Sequence, residues 1–141
     1  ISITGVYDDA FRAPLANIEG FDWVGFVDSL PDLLHGAISV VPIRLGSGIR
    51  VKILESMALG AAVVSTTTAT EGIAVEDGVH LLMADSPEQI ALAVSELYTD
   101  PARYAQLAAS GRSFVKDKYN LSQNTQARLS FFNQLINAKC M

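Results

Sequence analysis

Short hydrophobic segments rich in β-branched residues alternate with longer amphipathic segments along this chain of 141 residues. The hydrophobic segments predict five strands, at residues 1–6, 22–26, 37–43, 62–66 and 80–83. Strands that are separated by helices predict a parallel sheet. Two runs, 37–42 and 61–65, are almost continuously apolar and are therefore expected to be central strands covered by helices on both faces.

Helix-start signals follow the last predicted strand. The segment 86–89 holds an N-cap serine, a proline at the first helical position and a glutamine three residues after the serine, which together predict a capped helix over 86–98. An aspartate and a proline at 100–101 repeat the signal for a helix to about residue 118, and a last helix is predicted over 121–138. These helices are expected to cover the sheet or to reach a neighbouring domain.

The composition fits one α/β domain with a substantial core, since 50% of the residues are hydrophobic and 18% are charged. A single domain over residues 1–141 is therefore expected. No apolar run approaches the roughly 20 residues of a membrane span, and nothing resembles a secretion signal. The only cysteine, Cys140, provides no disulfide framework or cysteine-based zinc site. This pattern favours a cytoplasmic location.

Charge is distributed unevenly along the chain. The net charge of −5 argues against a nucleic-acid partner bound through overall positive charge. Residues 33–54, however, include no acidic residue, and Arg44, Arg50 and Lys52 fall within nine positions of one another. Such a local cluster predicts a small anionic ligand rather than a polymer.

The most informative segment, 41–55, joins a strand end, a loop with Gly46 and Gly48, and the start of a helix. The glycines let backbone N–H groups approach a ligand closely, and the helix N-terminus adds partial positive charge, so a phosphate is favoured there. Arg50 and Lys52 in the first helical turn oppose the helix dipole by up to ~1 kcal/mol each. They therefore indicate a bound anion; the alternative is that both are solvated surface residues.

Carboxylates near this segment are candidate contacts for a sugar. Glu55 lies in the helix predicted over 49–60, which Gly60 is expected to end. Two carboxylate oxygens match the vicinal hydroxyls of a ribose, although an ordinary exposed glutamate is the alternative. Glu71, in a later loop, is likewise either a donor contact or a solvated residue. The two histidines, His35 and His80, are expected to be structural.

These segments resemble a known family. The run from Gly46 to Ser65, Gly-Ser-Gly-Ile-Arg-x-Lys-Ile-Leu-Glu-Ser-Met-Ala-x-Gly-x-x-Val-Val-Ser, is similar to the donor-binding signature of retaining glycosyltransferase family 4, the glycosyl transferases group 1, in its glycine-serine-glycine variant. The similarity continues through 71–73, 77–82 and the helix start at 100–101, so it covers nearly the whole chain.

The resemblance implies the two-domain GT-B fold. Its C-terminal domain, an α/β Rossmann-like parallel sheet flanked by helices, binds the nucleotide sugar, and its N-terminal domain binds the acceptor. This chain resembles the C-terminal domain only. Because Ile1 already begins a strand, the sequence is expected to be a fragment without the acceptor domain and without the first strand of its own domain.

Carried over to this sequence, the resemblance assigns Glu55 to the ribose of the donor. Two groups of residues match the segments around the rest of the donor. One is the loop whose backbone amides face the sugar and diphosphate, Gly46, Ser47, Gly48, Ile49 and Arg50, and the other is the strand end against which the base rests, Gly25, Phe26 and Val27. Ser47 departs from the pattern, because many family members carry a sugar-binding glutamate at that place. The departure leaves the donor sugar open.

The implied reaction is retaining transfer of a sugar from a nucleoside diphosphate to an acceptor hydroxyl. Arg50 and Lys52 would stabilise the charge on the leaving diphosphate, and neither a metal ion nor another cofactor is expected. The implied partners are the nucleotide sugar, the absent N-terminal domain and an acceptor that is a glycan, a lipid carrier or a small molecule. The absent half also leaves room for peripheral membrane association.

Three alternatives stay open. A nucleotide-sugar epimerase or hydrolase of the same fold would have a similar donor site. A non-catalytic interaction domain would keep the fold after losing activity, which the serine at position 47 allows. A receiver-like module, suggested by Asp8 and Asp9 after the first strand, is disfavoured because the strand predicted over 37–43 has no acceptor aspartate.

Overall fold

The computed structural model describes residues 1–6, 8–46 and 48–138, and the chain divides into two compact units, Ile1–Leu33 and Leu34–Met141. In the first unit, β1 (Ser2–Thr4) and β2 (Asp22–Gly25) pair in parallel, and the connection between them contains α1 (Asp9–Arg12) and a 3₁₀ turn (Ala13–Leu15). Both strands lie within the predicted ones. The helical turns were not predicted, because one turn is too short to show helical periodicity.

The second unit contains a parallel sheet of β3 (Ile38–Val41), β4 (Ala62–Ser65) and β5 (Leu82–Met83), with β4 in the middle. All four residues of β4 are buried, which confirms it as a central strand. Within the second unit β3 pairs with β4 over all four of its residues, and its place as a second central strand stays a prediction. Hydrophobicity reports which faces are covered, whereas strand order depends on which backbone edges pair.

Helices complete the second unit. All four predicted helices are present, as α3 (Val51–Ala58), α5 (Pro87–Thr99), α6 (Pro101–Lys118) and α7 (Leu121–Ala138). Two helices of a single turn or little more, α2 (Leu30–Leu34) at the junction with the first unit and α4 (Thr67–Thr70), have no counterpart in the prediction.

Local signals define the ends of these helices. The Ser86 hydroxyl accepts a hydrogen bond from the Gln89 N–H at 3.2 Å, and the Gln89 side chain accepts one from the Ser86 N–H at 3.0 Å, which confirms the capping box. Asp100 caps α6 by accepting from two N–H groups at 3.0 Å. Gly60, with φ +82°, ends α3, and its N–H donates to the Met57 carbonyl at 3.0 Å.

Both faces of this three-stranded sheet are covered. Val63 of β4 belongs to a buried cluster with Met57 of α3 and Phe114 of α6, whereas Val64 belongs to a second cluster with Leu97 of α5. Successive side chains of a strand point to opposite faces, so one short strand supplies both cores. The carboxyl ends of β3, β4 and β5 consequently meet at one edge between two helical layers.

The last helix, α7, differs from the others. None of its described side chains is buried, and six apolar residues on it are exposed: Leu121, Leu129, Phe131, Phe132, Leu135 and Ile136. The sheet is covered by α3, α5 and α6 instead. Neither α7 nor any other helix within the described residues has the length and apolar content needed to cross a membrane.

Candidate functional site

The candidate site lies at the edge of the second unit where the carboxyl ends of its parallel strands meet. Residues 42–50 leave this edge after β3, α4 follows β4, and residues 84–86 connect β5 to α5. In open α/β sheets ligands bind in the crevice outside the carboxyl ends of the strands. This edge also carries the anion-binding segment indicated by the sequence.

Arg50 folds back over Gly46 in the loop after β3. A Cβ atom on Gly46 would lie only 2.5 Å from Nη2 of Arg50, and Nε of Arg50 is buried. Gly46 and Gly48 have φ values of +138° and +86°, which L side chains rarely adopt. The glycines therefore allow a loop backbone over which a guanidinium group is held. Ser47, between them, lies outside the described residues.

The N-terminus of α3 lies directly after this loop. Arg50 is the N-cap residue rather than a residue of the first turn, and its own side chain forms no capping hydrogen bond. Lys52, the second residue of the helix, is exposed. A fixed guanidinium, an exposed ammonium and the positive end of the helix dipole thus occupy one short segment, which suits a phosphate group.

Glu55 faces outward from α3, on the side opposite the buried residues Ile53, Ser56 and Met57. The Ser56 hydroxyl is buried and lies 2.8 Å from the Ser39 hydroxyl of β3. Together with the fully buried Ile53 and Met57, this contact holds one face of the helix against the sheet and leaves the exposed Glu55 side chain directed away from the core. Its carboxylate remains accessible to a ligand at the edge.

The turn after α4 lies against the loop after β3. A Cβ atom on Gly72 would be 3.8 Å from Cγ1 of Ile49, which is ordinary van der Waals contact. Glu71, the C-cap residue of α4, precedes this glycine and is exposed. Tertiary structure thus brings the predicted donor contacts Ile49 and Glu71 to the same edge, although 21 residues of chain separate them.

Phe26 and Val27 belong to the first unit, where they follow β2 directly. Phe26 is 77% exposed and Val27 is half-buried. An exposed aromatic ring immediately after a strand provides a flat apolar surface.

Asp85 is a residue at this edge that the sequence did not reveal. Its carboxylate accepts hydrogen bonds from the N–H and the hydroxyl of Thr67, both at 2.8 Å, and these bonds lower the pKa of Asp85. The bonds join the end of β5 to the first turn of α4. No local pattern marks the pair, because the two residues are 18 positions apart.

Arg44 lies close enough to the start of α5 to act on a carboxylate there. The pKa of Glu88 is lowered mainly by the Ser86 hydroxyl, then by the Glu88 N–H, and to a smaller extent by the positive charge of Arg44. Arg44 itself is exposed. It therefore adds positive charge along the edge, on the side of α5.

His80 has a structural environment. Its Nδ1 accepts a hydrogen bond from the Glu76 N–H at 3.0 Å, and its ring centroid is 4.7 Å from that of Phe114. The nearby Asp77 accepts a hydrogen bond from the Met83 N–H at 2.7 Å. Both side chains hold the turn that leads into β5. Within residues 1–6, 8–46 and 48–138, no group of three His, Cys, Asp or Glu side chains is arranged to hold a metal ion.

The family model described as glycosyl transferases group 1 matches residues 1–100. The chain belongs to this family. The match includes every residue of the edge described above, and it sets aside the receiver-like alternative. No curated protein matches the sequence.

Solved structures show the fold of this group 1 glycosyltransferase chain. HepE from Anabaena, solved in complex with UDP, matches 94% of the chain with a TM-score of 0.81 at 14% identity. Sucrose-phosphate synthase from Thermosynechococcus elongatus matches 97% with a TM-score of 0.80 at 19% identity. The C-terminal domain of LpcC, a group 1 family protein from Francisella tularensis, matches 79% with a TM-score of 0.66 at 20% identity.

These similarities confirm the predicted α/β fold, with parallel sheets flanked by helices as in GT-B glycosyltransferases. The chain spans 40% of the length of HepE, 38% of the synthase and 60% of the LpcC domain structure. The group 1 glycosyltransferase chain therefore corresponds to part of these proteins. Its organisation as a single domain and the roles of its site residues stay predictions.

A cavity of about 580 Å³ lies elsewhere in the glycosyltransferase chain. It is lined by Tyr119 and by residues of α7, including Arg128 and Phe131, and by none of the predicted site residues. Because most of the residues that line it lie on one exposed helix, it is an open depression of the surface rather than an enclosed site. The chemistry of the sheet edge locates the candidate site better than cavity size does.

Proposed function

We propose that this chain binds the nucleoside diphosphate of a sugar donor and serves as the donor-binding domain of a retaining glycosyltransferase. The observation that carries the proposal is the Arg50 guanidinium held over Gly46 beside the N-terminus of α3. The diphosphate would accept hydrogen bonds from the guanidinium and from backbone N–H groups of the loop and helix.

The position of Glu55 supports a nucleoside rather than a free phosphate as the ligand. Glu55 is four residues beyond Val51, the first residue of α3, which corresponds to about 6 Å along a helix axis. A nucleoside diphosphate bound by its phosphates at the N-terminus can therefore reach the Glu55 carboxylate with its ribose. The carboxylate would accept hydrogen bonds from both ribose hydroxyls.

In the proposed reaction, Arg50 and Lys52 stabilise the negative charge that develops on the leaving nucleoside diphosphate. The bond between the anomeric carbon and the phosphate oxygen breaks, the acceptor oxygen bonds to the same face of that carbon, and the acceptor proton leaves with the phosphate product. A guanidinium that is held in place before the reaction, as that of Arg50 is, needs no reorganisation as the charge appears. The proposal includes no metal ion or other cofactor.

Glu71, Phe26 and Val27 are the remaining donor contacts that the resemblance of the sequence suggests. Glu71, beside the turn that touches Ile49, is proposed to contact the donor sugar. Phe26 and Val27 are proposed to contact the base. HepE has been solved with UDP and with UDP-glucose, so uracil is the first base to test. A cytoplasmic location and a role in polysaccharide or glycoconjugate synthesis complete the proposal.

An NMR titration of the chain with UDP, GDP and ADP tests the donor site. We expect one nucleotide to shift the amide signals of residues 46–55 and 25–27, and Glu55→Ala to weaken its binding at least tenfold. Glu96→Ala, which removes an exposed glutamate from the far part of α5, is the control and should bind as the wild type does. Equal binding by both variants would remove Glu55 from the site.

Product analysis tests the reaction. Incubation of the full-length protein with the donor and candidate acceptors should yield transferred sugar with retained anomeric configuration; free sugar alone would indicate a hydrolase, and an epimerised product an epimerase. The 141-residue chain by itself should bind nucleotide weakly and transfer nothing, since it spans only 40% of the length of HepE. Transfer by the purified chain alone would contradict this.

A further inference from the structure

Hydrogen bonds from the end of β4 hold the first residues of the loop after β3. The Thr66 hydroxyl donates to the carbonyl oxygen of Ile43. The Thr66 N–H and the Ser65 hydroxyl both approach the carbonyl oxygen of Val41, at 3.4 and 3.3 Å. The loop is therefore attached to the neighbouring strand up to Ile43.

Thr66 makes this attachment from a buried position. Its side chain is 2% exposed, and its hydroxyl also accepts a hydrogen bond from the Ala69 N–H at 3.3 Å as the N-cap of α4. One hydroxyl thus uses both its donor and its acceptor capacity. A valine would fit the same space but would leave the Ile43 carbonyl without this donor.

The loop residues that directly follow Ile43 are exposed. Arg44, Leu45 and Gly46 are all exposed, and the next fully buried side chain is that of Ile53. The hydrogen bond from Thr66 to Ile43 is therefore the last described hydrogen bond between the sheet and the loop before Gly46, over which Arg50 is held. A shift of Ile43 would move Gly46 relative to the N-terminus of α3.

We propose that Thr66 is a positioning residue for nucleotide binding. Its hydrogen bond to Ile43 fixes the point at which the loop that contains Gly46 leaves the sheet. The inference rests on the proposed function, because it assumes that this loop contacts the diphosphate. Thr66 touches no part of the donor in this proposal and acts only through the backbone of the loop.

Thr70 provides a matched control. It is 6% exposed, lies in the same short helix, and donates its hydroxyl to the Thr67 carbonyl at 2.8 Å rather than to the loop. Thr70→Val therefore removes a buried hydroxyl from α4 but keeps the hydrogen bond between Thr66 and Ile43. Thr66→Ser keeps the hydroxyl of Thr66 and loses only a methyl group.

The test compares the three variants by thermal denaturation and by NMR titration with UDP, GDP and ADP. We expect Thr66→Val to shift the amide signals of Gly46 and Gly48 before nucleotide is added and to weaken binding at least tenfold. Thr66→Ser should bind within twofold of the wild type. Thr70→Val should also bind within twofold even where its melting temperature falls as far as that of Thr66→Val.

Binding by Thr66→Val within twofold of the wild type, or equal weakening by Thr70→Val, would overturn the inference. In either case a loss of binding in Glu55→Ala would leave the proposed function standing. If the wild type binds none of the three nucleotides, the proposed function fails and the inference fails with it.

Discussion

At the scale of single residues, Gly111 permits a close approach between α6 and its neighbours. A Cβ atom there would lie 2.8 Å from the carbonyl oxygen of His80 and 3.2 Å from Cγ of Met57. Helix propensity alone favours alanine over glycine by about 1 kcal/mol. The His80 carbonyl belongs to the backbone, however, and cannot rotate away as the end of a side chain can.

We predict that Gly111→Ala lowers the free energy of unfolding by about 1–3 kcal/mol, the usual cost of overpacking, as measured by urea denaturation. An exposed position on the same helix provides the comparison: Ala109→Gly should be destabilising by about 1 kcal/mol through propensity alone. A Gly111→Ala protein more stable than the wild type would show that α6 does not approach the His80 turn so closely.

Asp85 should make stability depend on pH. Hydrogen bonds from Thr67 lower the pKa of Asp85 below its ordinary value of 3.8. A carboxylate with a lowered pKa in the folded state stabilises that state fully above the unfolded pKa, and this contribution is lost as the pH falls through the folded value. The stabilisation is therefore present at neutral pH and disappears in acid.

We predict that Asp85→Ala has a lower melting temperature than the wild type at neutral pH. The difference in melting temperature should become smaller as the pH falls below 3.8. Thermal denaturation across this range measures the effect. Asp117→Ala, at an exposed position of α6, should show little difference from the wild type at any pH. A difference in melting temperature between Asp85→Ala and the wild type that is constant with pH would mean that the charge of Asp85 does not contribute to stability.

At the scale of elements, the capping box at Ser86 is a separable contribution to α5. The hydroxyl and the Gln89 side chain satisfy N-terminal N–H groups that the helix cannot pair internally. We predict that Ser86→Ala lowers the free energy of unfolding by about 1 kcal/mol, measured by urea denaturation. Ser95→Ala, at an exposed position inside the same helix, should be neutral or slightly stabilising, since alanine is the better helix former.

The helix ends show why elements are predictable from sequence. The serine, proline and glutamine at 86–89 act on N–H groups within four residues, and Gly60 ends α3 through bonds to that same helix. Signals of this range are present in the sequence itself. The short helix α4 has a local N-cap in Thr66 but is too short to show helical periodicity, and Thr67 is also held by Asp85 from another part of the chain.

At the scale of the whole molecule, α7 contributes little to the core. None of its described side chains is buried, whereas Phe114 and Leu107 of the preceding helix are. We predict that deletion of residues 121–141 leaves cooperative unfolding intact and changes the melting temperature by less than about 4 °C, the shift that ~1 kcal/mol would cause in a domain of this size. A larger loss would mean that α7 packs on the folded chain in solution.

The exposed apolar residues of α7 give this deletion a second readout. Because Phe131 and Phe132 are each more than half exposed, the full chain should bind a hydrophobic dye more strongly than the shortened chain. Equal dye binding by both would show that these rings are covered in solution.

The candidate site was predictable in its chemistry and only partly in its geometry. Arg50, Lys52 and Glu55 could be named from the sequence because they share one loop and one helix start. Their roles in binding stay predictions. Thr66 and Asp85 were missed, because a threonine or an aspartate at a strand end has many uses until its partner is known.

By itself, the sequence determined the order of the strands and the four longer helices, the caps at Ser86 and Asp100, the helix end at Gly60 and the parallel α/β class, because periodicity and capping depend on residues a few positions apart. Tertiary structure alone decided that Thr66 holds Ile43 across 23 positions, that Asp85 holds Thr67 across 18 and that Gly72 lies against Ile49. Such contacts depend on how distant segments pair across the sheet, which no local pattern of residues specifies.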